Sequence, residues 1–342
     1  MRSGAIPCRE PPDAGVPTPH IRCGSDLLPL LRAAGFTADY LEVSDPLCQG
    51  PVLAADDWLT DRAAFLMDAY GGLLDRSLTE ISEGLHRANH DPRAAAQRYE
   101  RIVLWFEHDS CDQLILARCL AQFAETRPRG LELVQVNQYP GPARFIGLGQ
   151  LPPEAFPPLW DQRRSVSEPR LAGGARVWDM LRAADPTSLA ETARMGIPEL
   201  KFKAAAIRRH CQEFPWIEDG LSLTERLVPR LLAEQPRTMG EIFRDLMAER
   251  EPLPWLGDIM PRFILESMKR VDRPVFTAGF DDEDRRWFRE RLSLTDLGRA
   301  VLSGRVDFQS LYPSDRFLGG VRISTASHGW RWDDRAATIG SS

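Results

Sequence analysis

The hydrophobic pattern changes period several times along the chain, and each change marks an element. Residues 102–106, Ile-Val-Leu-Trp-Phe, are apolar at every position between Arg101 and Glu107. A short continuous run of this kind is the pattern of a strand buried on both faces of a parallel sheet. From 109 to about 124 the apolar positions fall at helical spacing, and after the turn Thr-Arg-Pro-Arg-Gly a further strand is expected over 131–136. Upstream, residues 20–23 read as a short strand, Gly24-Ser25-Asp26 as a turn with a helix cap, and 27–34 as a helix that buries Leu27, Leu28, Leu30 and Leu31. Gly35 is its C′ residue and 39–43 a second strand. Strand, helix, strand and then a central strand with its own helix is the opening of a doubly wound layer.

Between these elements lies Ser44–Val52, whose two prolines and one glycine forbid regular structure. Residues 57–99 read as helices, with Trp58, Phe65, Leu66, Ala69, Tyr70 and Leu73 at helical spacing, then Leu78, Ile81 and Leu85. Residues 145–149 close this part as an edge strand or loop. Prolines 152, 153, 157 and 158 open a helical region with helices near 154–163, 168–184 and 198–213. From Leu221 three helices, an apolar strand at 274–277, a polar tip and a returning Leu-Ser-Leu-Thr strand follow a winged-helix order. In the tail, Val321, Ile323, Trp330 and Trp332 alternate and predict a terminal hairpin. The expected organisation is a disordered leader over 1–18, an α/β Rossmann-like domain with a mostly parallel sheet over 19–150, a helical linker domain over 151–220, and a mainly α, winged-helix-like module with its hairpin over 221–342.

Composition narrows the function classes. A formal net charge of −6 in 342 residues argues against a chain-wide nucleic-acid or membrane-surface role. Six cysteines without C-x-x-C spacing fit a reducing, cytoplasmic setting better than a disulfide framework or a structural zinc. No apolar run approaches a membrane span, and the N-terminus lacks the apolar core of a signal peptide.

The candidate chemistry gathers at strand ends, where open α/β sheets bind ligands. The central strand runs into Glu107, His108 and Asp109, with Asp112 and Gln113 in the first turn of the following helix. Glu107 and His108 are the candidates for general acid and base. Asp109 competes between a site role and the N-cap, with Asp112 placed as the partner of a capping box. His20, Gly24 and Ser25 form a strand-to-helix turn that could admit an anion, although Asp26 would repel a phosphate there. Asp45, Gln49 and Gly50 leave the second strand, and in a doubly wound sheet His20, Asp45 and Glu107 share one edge. Arg62 could meet a substrate anion, against the commoner reading of a solvated helix face. Cys23, Cys48 and Cys111 lie beside these motifs, and inert burial outweighs a nucleophilic thiol. In the winged segment, Arg262, Lys269 and Arg270 occupy the third helix, but nearby acids cancel them, which favours packing or a protein partner over DNA.

The motifs HIRCGSD, SDPLCQGP and IVLWFEHDSCDQ, in this order over residues 19–150, resemble the bacterial family catalogued as domain of unknown function 1835. The later segments GLGQLPPE, LSLTER, EPLPWLGD, LSLTDLG and RFLGGV are similar to the helical C-terminal half of its proteobacterial members. The resemblance implies a domain layout and carries no reaction, ligand or cofactor. From the residues, the expected function is binding of a small polar ligand, a nucleotide or phosphorylated metabolite with or without a metal, and hydrolysis or group transfer upon it. The alternative is a regulatory, DNA- or protein-interacting role for the winged module. Cofactor and oligomeric state stay open.

Overall fold

The structure is a computed structural model that describes residues 10–257, 259–269, 273–281, 283–311, 315–324 and 329–341. Its centre is a five-stranded sheet of β1 (Pro19–Arg22), β2 (Asp39–Glu42), β4 (Ile102–Glu107), β5 (Leu131–Val136) and β6 (Arg164–Ser165), with β3 (Gly50–Pro51) lying outside it. The order is β2-β1-β4-β5-β6; the first four strands are parallel and β6 is an antiparallel edge. The chain crosses from one side of β1 to the other between β2 and β4, so the switch point lies between the ends of β1 and β4. The chain therefore combines an α/β layer on a mostly parallel sheet with helical regions, and no helix among the described residues is long and apolar enough to cross a membrane.

The uninterrupted apolar run of β4 serves two cores. Ile102, Leu104 and Phe106 pack under the helices Leu78–Arg98, Ser110–Thr126 and Glu168–Arg182, while Val103 and Trp105 face Leu27, Leu31, Phe156 and Trp160 on the other side. All five are fully buried. Alternation along a strand sends neighbours to opposite faces, so a strand covered on both sides must be apolar throughout.

Residues 10–18 depart from the expected disorder. Asp13 is buried, and its carboxylate accepts hydrogen bonds from the backbone of Thr37 and Ala38 (2.9 and 2.8 Å) and from His20 Nε2 (3.1 Å). Burial alone would raise the pKa of Asp13, but these donors hold it well below the ordinary carboxylate range. The Pro- and Gly-rich composition hid a segment tied down by one acid; residues 1–9, with Cys8, lie outside the described residues.

The helical region holds an additional helix, Thr187–Met195, and the expected 198–213 helix begins only at Lys203. Gly196, at φ +73°, ends the first helix and Pro198 prevents Ile197 from continuing it. Beyond Leu221 come the helices Leu223–Glu234, Met239–Asp245 and Met260–Lys269, and an antiparallel sheet in the order β7-β9-β8, whose β7 (Arg237–Thr238) joins the first two helices while β8 (Phe276–Gly279) and β9 (Arg291–Leu294) follow the third. Two of these helices start with closed capping boxes, Ser222 with Glu225 and Thr238 with Glu241.

The tail forms two hairpins where the alternation suggested one. β10 (Asp315–Gly319) pairs with β11 (Val321–Ser324), and β12 (Trp330–Asp333) pairs with β13 (Thr338–Ser341). Val321 and Ile323 thus sit in one hairpin, Trp330 and Trp332 in the other. β10 also runs parallel to β3, with Leu318 opposite Gly50. This pairing fastens the end of the chain to the loop that leaves β2.

Candidate functional site

At the end of β4 the expected acids do converge. Carboxylate oxygens of Glu107, Asp109 and Asp112 lie within 4.8 Å of one another, all buried. That spacing would suit a cation, and the cation present is a guanidinium. Arg22, at the end of β1, donates to Glu107 (2.6 Å) and to Asp112, and Asp26 stands 3.5 Å away on its outer side. Asp26 forms no side-chain cap on the helix it precedes, being turned toward Arg22 instead. Glu107 also accepts from the Leu148 amide at 2.5 Å. Gly147 lies so close over it that a Cβ there would come within 2.8 Å of Oε2. Asp109 caps the Ser110–Thr126 helix by accepting from the Asp112 amide (3.1 Å), but Asp112 turns back to the Glu107 amide (2.6 Å), so no capping box closes. Gln113 donates its side-chain amide to the Glu107 carbonyl. The carboxylates are engaged within the cluster and roofed by the 147–148 backbone, while Arg22 Nε is buried without a hydrogen-bond partner.

One guanidinium among three buried acids leaves excess negative charge. Burial, with Asp112 nearby, pushes Asp109 up to about 7, and burial also raises Glu107. A raised carboxylate binds its proton more tightly in the folded than in the unfolded chain. The stability that Asp109 contributes is therefore full below about pH 4 and is lost as pH rises toward about 7. Asparagine is as good an N-cap and carries no charge. Asp109→Asn is thus expected to stabilise, more at pH 8 than at pH 5 by on the order of 1–3 kcal/mol. Urea unfolding at the two pH values measures this, and a variant less stable at pH 8 would mean that the ionised form is the one the fold holds.

His108 lies apart from this cluster, half-buried between Phe145 (5.9 Å) and Phe202 (6.2 Å). Burial lowers its pKa, and Nδ1 has no hydrogen-bond partner. His20 is on the far side of β1 from the thiols. Its Nδ1 accepts from Trp105 (3.0 Å), so Nε2 carries the proton shared with Asp13. Asp45 is sealed between two arginines: Arg62 donates to Oδ1 at 2.8 Å and Arg118 to Oδ2 at 3.1 Å, all three side chains being at most 1% exposed. Arg62, read as a solvated face or an anion contact, is a core residue. Gly24, at φ +89°, accepts the Tyr40 hydroxyl through its carbonyl (2.6 Å), and Ser25 is exposed in the same turn. His20, Asp45 and Glu107 share an edge in sequence terms, and the fold gives each its own buried partner, Asp13, Arg62 with Arg118, and Arg22.

The thiols behave likewise. Cys23, Cys48 and Cys111 are free thiols gathered together; the Cys111 thiol, then burial, pushes Cys23 well above the ordinary thiol range. Protonated thiols are poor nucleophiles.

Open space lies one loop further on. Arg62 donates to the carbonyls of Pro46 (2.7 Å) and Gln49 and so fixes the course of the loop that carries Cys48, Gln49 and Gly50. Gly50 has φ +74°, and a side chain there would enter the Phe65 ring, so only glycine fits. These three residues line a cavity of about 650 Å³, whose opposite wall comes from Glu213, Glu225, Phe263 and Arg316. Gln49 is buried, accepts the Tyr70 hydroxyl through Oε1, and has no hydrogen-bond partner at Nε2. Gln49 and Gly50 are thus expected site residues that line this cavity. Glu213, Glu225 and Arg316 were not marked by the sequence. LSLTER showed a helix start, which the Ser222–Glu225 box fulfils, and nothing local shows which way Glu225 faces.

Comparison of the chain with family models, curated proteins and solved structures finds no match.

Proposed function

We propose that this protein binds a small polar ligand in the cavity between the Cys48–Gly50 loop and the C-terminal half of the chain. The observation that carries this reading is the buried Gln49 amide, unpartnered at Nε2, in the wall of a cavity of about 650 Å³. Ligand sites are commonly concavities of a few hundred Å³ with a few placed polar groups between larger units. Phe65 and Phe263 give it an apolar flank, and acidic residues outnumber basic ones around it. That balance weighs against a bare nucleotide or phosphorylated metabolite. The strand-end acids act in this reading as the rigid base of the loop, because Arg22 already engages two of them.

The second reading is a regulatory module. Three helices, the first two separated by β7, and the hairpin of β8 and β9 after them support a winged-helix-like reading of this segment, whose third helix would face a duplex. Here Phe263 on that helix meets Phe65 (5.3 Å) and Tyr70 (5.9 Å), and Lys269 pairs with Glu266 (2.8 Å) and Glu290 (2.7 Å); Arg270 lies outside the described residues. A helix engaged this way favours an internal role as a cavity wall, through which ligand could bias the module.

The test is thermal unfolding of the full chain against amino acids, polyamines, nucleotides and divalent metals. The wild type would be run beside Ala69→Phe, which fills the cavity from the Met67–Gly71 segment, and beside a Glu107→Gln, His108→Ala double variant. A ligand at about 100 times its Kd adds roughly 2.7 kcal/mol. The expected result is a rise that Ala69→Phe abolishes and the double variant keeps. The reverse pattern would move the site to the strand ends.

A further inference from the structure

Two acids in the cavity wall differ in how well they are neutralised. Glu213 receives Arg209 (2.6 Å) and the Thr224 hydroxyl (2.6 Å), and it stays below the ordinary range despite complete burial. Glu225 is 4% exposed, takes the Ser222 amide at 2.8 Å, and has the Arg316 guanidinium only at 4.0 Å. Burial raises its pKa in consequence. A buried carboxylate without a close counter-charge is costly, and a cation brought within hydrogen-bond distance removes the cost. Across the same cavity, the loop after β2 contributes the opposite requirement: Gln49 Nε2 is a buried donor with no acceptor. Arg262 lines the cavity too, at 3.8 Å from Glu266 and so short of a hydrogen bond.

We propose that the ligand is a small zwitterion of amino-acid type, its cationic nitrogen set against Glu225 and its carboxylate or carbonyl oxygen set against the Gln49 amide and Arg262. This rests on the cavity reading above and narrows it to one chemical class. A polyamine would meet Glu225 but leave Gln49 without an acceptor. A polyphosphate would satisfy Gln49 and face Asp68, Glu213, Glu225, Glu266 and Asp315. A molecule bearing both groups satisfies both walls.

Isothermal titration of the full chain with L-arginine, L-lysine and L-glutamine, and with spermidine, citrate and ATP, tests the assignment. At least one of the three amino acids is expected to bind at least about 10-fold more tightly than spermidine, citrate or ATP, the ratio of one charge-assisted hydrogen bond. Glu225→Gln keeps the capping box, since glutamine serves at the same position, and relieves a buried charge. It is expected to unfold no earlier than the wild type without ligand while binding the amino acid at least about 10-fold more weakly. Gln49→Met is the second arm, also expected to bind more weakly. Equal binding by Glu225→Gln and the wild type would overturn the assignment. Tighter binding of citrate or ATP that Ala69→Phe abolishes would overturn the ligand class and leave the cavity reading standing. Binding of no probe, or binding that Ala69→Phe leaves intact, would overturn both.

Discussion

Asp45→Ala is expected to destabilise the protein by on the order of 3–5 kcal/mol, because it leaves two buried guanidinium groups without their shared carboxylate. Arg62 is fully buried and Arg118 is 1% exposed. Their remaining partners carry no charge: the Pro46, Gln49 and Pro51 carbonyls and the Phe65 ring for Arg62, and the Val43 carbonyl for Arg118. A neutral replacement cannot balance two charges, so Asp45→Asn is expected to recover only part of the loss. Urea unfolding of the three proteins gives the ordering, and the slope with denaturant shows whether the loop leaves the fold. Since Arg62 fixes the Gln49 carbonyl, both variants are also expected to weaken ligand binding in the cavity. A loss below about 1 kcal/mol for Asp45→Ala would be that of a surface pair and would mean that solvent reaches the arginines.

Arg22→Met comes next, with a loss of similar size, about 3–5 kcal/mol near neutral pH. It removes the one guanidinium that holds Glu107 and Asp112 and adds an apolar chain among three carboxylates. The sign with pH distinguishes it from Asp45→Ala. Without Arg22, Glu107 and Asp109 bind protons still more tightly in the folded state, so the variant is stable where they are protonated and loses stability as pH rises through and above about 4.5. Its deficit is expected to shrink at about pH 5 and to be greatest near pH 8, whereas the Asp45→Ala deficit, which comes from two stranded guanidinium groups, is expected to be similar at both. Denaturation curves at these two pH values separate the cases. A deficit independent of pH would show that Arg22 contributes packing more than charge.

The elements with local signals were readable. The apolar run of β4, the acid at the head of its helix and the three helices after Leu221 all depend on residues within a few positions of each other. What sequence could not supply was the identity of partners. Glu107, Asp45 and His20 looked like three polar groups awaiting a ligand, because Arg22, Arg118 and Asp13 sit elsewhere in the chain and nothing local announces the pairing. Asp13 was hidden inside a Pro- and Gly-rich leader, and Arg62 on a helix face that read as solvated. The cavity is a long-range product of the same kind: it exists because β10 pairs with β3 and because Phe263 docks on Phe65 and Tyr70. Gln49 and Gly50 were singled out for lying in a shaped loop beyond a strand end. They do lie there, one loop away from the acids expected to share their site.

The central claim, that ligand meets the Cys48–Gly50 loop and not the acids of β4, is tested most directly by amide hydrogen exchange on the full chain with and without the tightest-binding probe. The account predicts slowed exchange over residues 47–52, 65–73 and 262–266, with residues 107–113 and 145–150 unchanged. Protection confined to 107–113 and 145–150, with the loop after β2 unaffected, would contradict it and return the site to Glu107 and His108.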